Sequence, residues 1–179
     1  MTFETKEVAA KKGEFKRKKS QFRHWITQDG SPGPNKSEGG FTPDKDRYHL
    51  FGSLACPWVN RTLIMRNLKG LETFIPVTIV HWHMGKEGWH FTEDKLHGSE
   101  RDPLYNFQFI AEFYEKAQPG YVESGGVRSV PLLWDKKRET IVNNESSEII
   151  RMFNQAFDKV GAKEGDYYPQ ALRSEIDAF

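Results

Sequence analysis

Apolar positions along the chain fall into short blocks separated by turn-forming stretches. The first ordered block is "RYHLFGS", where Tyr48, Leu50 and Gly52 alternate with His49 and Phe51, the two-residue period of a strand. "PWVNRTLIMRNLKG" follows and predicts a helix over 57–70, with Pro57 at the first helical position and Gly70 just past the end. "FIPVTIV", residues 74–80, is rich in β-branched side chains and predicts a buried strand. Residues 82–106 mix aromatic, charged and glycine positions and are expected to form a long excursion. "YNFQFIAEFYEKA" sets Phe107, Ile110, Ala111 and Tyr114 at helical spacing.

"VRSVPLLWD" is a strand interrupted by Pro131, and "ETIVNNE" a second one after the turn "DKKR". "ESSEIIRMFNQAFDKV" puts Ile149, Ile150, Phe153 and Phe157 on one helix face, with Asn143 and Asn144 as candidate caps. "GAKEGDYYPQ" reads as a linker, and "ALRSEIDAF" begins a further helix that stops after about two turns, as in a truncated chain. Helix-covered strands with a hairpin near the end predict a small α/β sandwich over 47–160. Residues 1–46 read as an extended arm, basic in "KKGEFKRKKSQFRHW" and loop-like in "TQDGSPGPNKSEGGFTPDKD". Its expected anchors are Phe15, Phe22, Trp25 and Phe41.

Composition narrows the classes. A chain of 179 residues with 13% aromatic side chains can bury a real core. The formal net charge of +1 gives no global field that would demand nucleic acid or an anionic membrane. The arm's lysines could serve such contacts, although a solvated face is the commoner meaning of such a run. One cysteine rules out an internal disulfide and points to a reducing, cytoplasmic location. No apolar run is long enough to span a bilayer, and the N-terminus lacks the apolar core of a signal peptide.

That cysteine, Cys56 in "SLACPWVNR", sits at a strand-to-helix junction. Helix-start amides and the helix dipole favour a thiolate there. Pro57 costs nothing at that position, Trp58 is placed to cover the helix start, and Arg61 one turn on adds positive potential. This pattern suits nucleophilic chemistry or thiol–disulfide exchange; a buried, inert cysteine is the plain alternative. Val59 holds the place of a second cysteine at CxxC spacing, so a resolving thiol must come from outside.

Two further features converge on Cys56. Pro131, opening a strand after a valine, can be cis and leave the preceding backbone free to bond an extended peptide, or can simply be an edge-strand proline. "NNESSE" stands at a helix start, a ready carboxylate site. There Ser146 can donate to a carboxylate and Glu145 can accept from an ammonium, as a γ-glutamyl group requires. Plain helix capping is the alternative.

"SLACPWVNRTLIMRNLKGLE" together with "SVPLLWDKKRETIVNNESSEIIRMFN" closely resembles the Xi-class glutathione transferases, the glutathionyl-hydroquinone reductases, over roughly residues 20–179. The resemblance implies a thioredoxin-like N-terminal domain followed by an all-helical domain, of which residues 161–179 hold only the linker and first turns. It implies reduction of glutathionyl-hydroquinones with glutathione as co-substrate and no metal. Cys56 would be the nucleophile, and a second glutathione would resolve its mixed disulfide. Glu145 and Ser146 would hold the γ-glutamyl group, Val130 would bond the cysteinyl backbone, Trp89 would lie beside the glutathione, and Arg128 would face the glycyl carboxylate.

The resemblance also implies a homodimer at full length. Asn60 departs from the family's usual histidine in "CPWAHR" and could alter the local field at Cys56 without removing activity. The family's substrate-binding tyrosines belong to the helical domain, whose absence is expected to expose apolar surface around Trp134 and the last helix.

Three rival readings stay open on the residues. His81, His83, His90 and His97 cluster around Trp82 and Trp89 and could begin a metal site. A glutathione-binding module without catalysis is a second. The third is a conventional conjugating transferase, for which Tyr48 or Ser53 would supply the hydroxyl.

Overall fold

The computed structural model describes residues 20–178. Along them run β1 (Tyr48–Gly52), α1 (Pro57–Leu68), β2 (Val77–Ile79), α2 (Ile110–Ala117), β3 (Leu132–Asp135), β4 (Thr140–Asn143), α3 (Ser146–Gln155) and α4 (Arg173–Ala178). One sheet has the order β2-β1-β3-β4. β1 pairs parallel with β2 and antiparallel with β3, and β3 pairs antiparallel with β4. This mixed sheet with helices on both faces is the thioredoxin-like arrangement.

β1 is buried at all five residues rather than alternately, because it is a central strand covered on both faces. Tyr48 and Leu50 join Leu133, Val142, Met65, Ile149, Met152 and Phe153 on the α1–α3 side. Phe51 joins Leu132, Trp134, Ile141, Ile110 and Phe113 on the α2 side. Trp134 is fully buried, contrary to the expected exposure: Phe113 packs edge-on at 5.0 Å, and its indole N–H donates to the Tyr105 hydroxyl at 3.3 Å. Among the described residues the large exposed apolar side chains are instead Leu54 before α1, Trp58, Ile64 and Leu68 on it, Trp82, Met84 and Leu96 in the excursion, and Val160, Tyr167 and Leu172 beyond α3.

Local chemistry sets the element ends. α1 stops at Leu68, and Gly70 turns the chain with φ +62° while its N–H bonds the Asn67 carbonyl, a left-handed exit that favours glycine. α2 begins at Ile110, later than the period of "YNFQFIAEFYEKA" suggests. The Asp102 carboxylate takes the N–H groups of Leu104, Tyr105 and Phe107 and holds them in a turn. The Glu112 carboxylate then accepts from the Gln108 and Phe109 N–H groups at the helix start. α3 is capped by Glu145, whose side chain accepts from the Ser147 N–H. Asn143 acts one step earlier, accepting from the Glu145 N–H at 2.7 Å; Asn144 makes no cap.

The arm lies against the sheet. Phe22 and Phe41 are buried, Trp25 is half-buried, and the His24 N–H bonds the Val142 carbonyl. Arg47 and Asp135, both buried, form a two-point ion pair whose guanidinium also bonds Thr42 and the Gly40 carbonyl. Phe15 and the most basic part of the arm lie outside the described residues.

Candidate active site

Gly52 ends β1, and Ser53 to Ala55 carry the chain over to Cys56, the residue just before α1. The Cys56 carbonyl accepts from the Val59 and Asn60 N–H groups, so backbone rather than side chain closes the first turn. The thiol is thereby left out of the capping. Its Sγ lies 3.7 Å from the Val130 carbonyl oxygen. Cys56 is only 9% exposed, while Leu54, Ala55, Pro57, Trp58 and Asn60 around it are open to solvent. A partner must therefore seat itself to reach the sulfur.

Val130 precedes a cis peptide bond to Pro131 and sits just ahead of β3. It brings a backbone edge beside the thiol, outside the ladder between β1 and β3. Arg128 is two residues upstream and half-buried.

The start of α3 faces α1. Arg61 donates from Nε at 3.0 Å and from Nη2 at 2.5 Å to the Ser146 hydroxyl, and its Nη2 is 3.7 Å from the Glu145 carboxylate. The guanidinium also lies over the Trp58 ring at 4.9 Å. Trp58 is 42% exposed, so it shields Arg61 more than it covers the helix start. Because Ser146 Oγ accepts two N–H groups, its own proton is left to be donated outward. Glu145 also accepts from the Ser147 and Ser20 hydroxyls. Ser20 of the arm therefore borders this corner, a contact with no signal in the local sequence.

Trp89 is half-buried against the core cluster that contains Cys56. Its carbonyl accepts from the Ile110 N–H, and the Phe91 N–H bonds the Gln108 carbonyl. The excursion is thus pinned to the start of α2. Cys56, Val130 and the Glu145–Ser146 pair with Arg61 are linked by direct contacts or chain neighbours. Trp89 packs against the core cluster that contains Cys56, and Arg128 lies two residues before Val130.

The rival groups are engaged elsewhere. The His81 and His90 rings stack at 4.6 Å, and His97 bonds Asp94 at 2.7 Å. Burial, then the neighbouring His81, lowers the pKa of His90. Among the described residues no group of three or more His, Cys, Asp or Glu side chains is placed to hold a metal ion. The buried Tyr48 hydroxyl donates to the Thr42 carbonyl at 2.6 Å, on the sheet face away from Cys56, and burial raises its pKa. Ser53 accepts from the Ala55 N–H and donates to the His81 carbonyl.

Known proteins resemble this chain in sequence and fold. The family model for the glutathione S-transferase N-terminal domain matches residues 55–156. The chain is 58% identical over 165 residues to the glutathionyl-hydroquinone reductase YqjG of Escherichia coli, covering 92% of this chain and 49% of that protein. It superposes on the glutathione-bound structure of YqjG with a TM-score of 0.83 at 56% identity, over 88% of this chain and 50% of that one. The Xi glutathione transferase of Phanerochaete chrysosporium gives a TM-score of 0.81 at 49% identity, over 92% and 52% of the two chains. The chain spans about half the length of the curated relatives it matches.

Proposed function

Because the chain belongs to the Xi-class glutathione transferases, the family of the glutathionyl-hydroquinone reductases, we propose that it supplies the nucleophile and the glutathione site for reducing glutathionyl-hydroquinones. The observation that carries this is the placement of the Cys56 thiol beside the Val130 backbone, with Ser146, Glu145 and Arg61 one helix start away. That set supplies, in order, a nucleophile, a backbone edge for a peptide, and a donor–acceptor pair for an amino-acid head group.

In the proposed reaction the Cys56 thiolate attacks the sulfur of the glutathionyl adduct. A sulfur–sulfur bond forms and the sulfur–aryl bond breaks. The aryl carbon keeps the bonding electron pair and takes up a proton, which releases the hydroquinone. A second glutathione thiolate then attacks the glutathionyl sulfur of the mixed disulfide, forms oxidised glutathione and returns Cys56 as thiolate. Outward donation by Ser146 holds the γ-glutamyl carboxylate, and Glu145 holds the ammonium. Arg128 faces the glycyl carboxylate, and Trp89 packs along the tripeptide. Asn60, exposed beside the thiol, leaves this scheme intact. With the Tyr48 hydroxyl bonded to Thr42 on the sheet face away from Cys56, and Ser53 bonded to Ala55 and His81, conjugation through either gains no support from the geometry.

At full length we assign the exposed Trp58, Ile64 and Leu68 of α1 to a covering helical domain, and we read the whole protein as a cytoplasmic homodimer. Among the described residues no helix is long and apolar enough to cross a membrane.

A single-turnover experiment tests the function. Stoichiometric glutathionyl-hydroquinone is mixed with the chain, and released hydroquinone is quantified beside the protein's intact mass. The expected result is one hydroquinone released per glutathione adduct on Cys56, with both lost in Cys56→Ser. Release by Cys56→Ser at the original rate would sink the assignment.

A further inference from the structure

Two stretches that must act together on one tripeptide, 128–130 and 144–146, come from different parts of the chain and meet through Tyr114. Its hydroxyl donates to the Ser129 carbonyl at 2.8 Å and accepts from Asn144 Nδ2 at 2.9 Å. Ser129 immediately precedes Val130, and Asn144 immediately precedes Glu145. Asn144 is 97% buried by its exposure of 3%, and among the described residues its Oδ1 has no partner. Among the described residues the Asn144 side-chain amide is thus held by its bond to the tyrosine hydroxyl.

Tyr121 doubles the arrangement. Its hydroxyl donates to the Val127 carbonyl at 3.0 Å, and its ring stacks on Tyr114 at 5.3 Å with 21° between planes. The carbonyls on either side of Arg128 are thus each held by a buried tyrosine. Phe22 of the arm packs on both rings, at 5.6 and 5.3 Å, and its carbonyl accepts from the Asn144 N–H. Burial raises the pKa of both tyrosines, which keeps the hydroxyls protonated as donors.

We propose that Tyr114, backed by Tyr121, is a positioning residue that fixes the spacing between Val130 and the Glu145–Ser146 pair and so gives the site its preference for glutathione over smaller thiol carriers. This rests on the reading of Cys56, Val130, Glu145 and Ser146 given above. The physical reason is geometric. A tripeptide bonded at its cysteinyl backbone and its γ-glutamyl head spans both stretches and gains only if their separation is set in advance. A disulfide without the tripeptide touches the thiol alone and is indifferent to that separation.

The test measures rates of mixed-disulfide formation at Cys56 by intact mass, with oxidised glutathione and with bis(2-hydroxyethyl) disulfide. In each case the Cys56 thiolate attacks one sulfur, and the other leaves as a thiolate. The original chain is compared with Tyr114→Phe and Tyr121→Phe, which keep the rings, and with Tyr105→Phe, which removes a hydroxyl bonded to Trp134 and Glu139 instead. We expect the glutathione rate to fall about five- to tenfold in Tyr114→Phe, which loses both the bond to Ser129 and the bond from Asn144, with the hydroxyethyl rate unchanged and Tyr105→Phe unaffected in both.

If Tyr114→Phe does not fold, Tyr121→Phe carries the same expectation. Equal loss with both disulfides, or no loss with either in folded variants, overturns the positioning role and leaves the proposed function standing. A chain that shows no preference for oxidised glutathione before any substitution overturns the proposed function, and the positioning role with it.

Discussion

Arg61 illustrates what one residue does once the fold places it. Its position one turn after Cys56 suggests a positive potential for the thiol. In the structure its two nearest donors go to Ser146, 85 residues away, and set that hydroxyl to donate outward. Cys56, Glu145 and Ser146 stand out in the sequence as candidates because the chemistry proposed for them resides in residue type at a helix start. The target of Arg61 does not, because it depends on which face of α1 meets α3. Tyr114 was legible only as a helical core position, since its bonds reach a loop and an asparagine that no periodicity connects.

His49 gives a prediction at the same scale. It is buried with Nε2 2.8 Å from Thr78 Oγ1, and burial, then the Lys136 and Arg66 charges, lowers its pKa to about 4. The unfolded chain binds its proton near pH 6.5, the folded chain only near 4. Stability contributed by neutral His49 is therefore complete above about pH 6.5 and is lost as pH falls toward 4, by about 2 kcal/mol between pH 7 and 5. Melting curves at those two pH values should show a smaller drop for His49→Gln than for the original chain. Equal drops would mean that other groups carry the acid sensitivity.

Elements were easier to read than their ends. The four strands and α1 to α3 fall within the hydrophobic blocks of the sequence, α1 between Pro57 and Gly70, β2 in a β-branched run and α3 on a helical period, although β1 is buried throughout and not on one face only. The start of α2 was hidden, since it depends on the Asp102 and Glu112 carboxylates capturing backbone N–H groups. The burial of Trp134 was also hidden, since the excursion that supplies Tyr105 has no period of its own.

The junction of β1 and α1 depends on Gly52, where an added Cβ would lie 2.4 Å from Val59 Cγ1. Val59 is fully buried and belongs to the first turn of the helix that begins after Cys56. Gly52→Ala is therefore expected to lower stability by roughly 1–3 kcal/mol and to slow mixed-disulfide formation at Cys56 by displacing the helix start. Denaturant unfolding and intact-mass kinetics check the two effects. An unchanged midpoint would show that β1 and α1 can separate freely.

At the scale of the described residues, the sheet brings three distant stretches to one end of its strands: 53–61 after β1, 128–131 before β3 and 144–146 after β4. Three stretches anchored on one sheet suit a site whose ligand is a short extended peptide. Under the proposed function Cys56, little exposed as it is, exchanges with a glutathione disulfide seated at that end. The most direct measurement is the intact mass of the folded chain after exposure to oxidised glutathione, before and after a reductant. One glutathione adduct per chain, on Cys56 and removed by the reductant, is the predicted result; a folded chain that takes up none would contradict it.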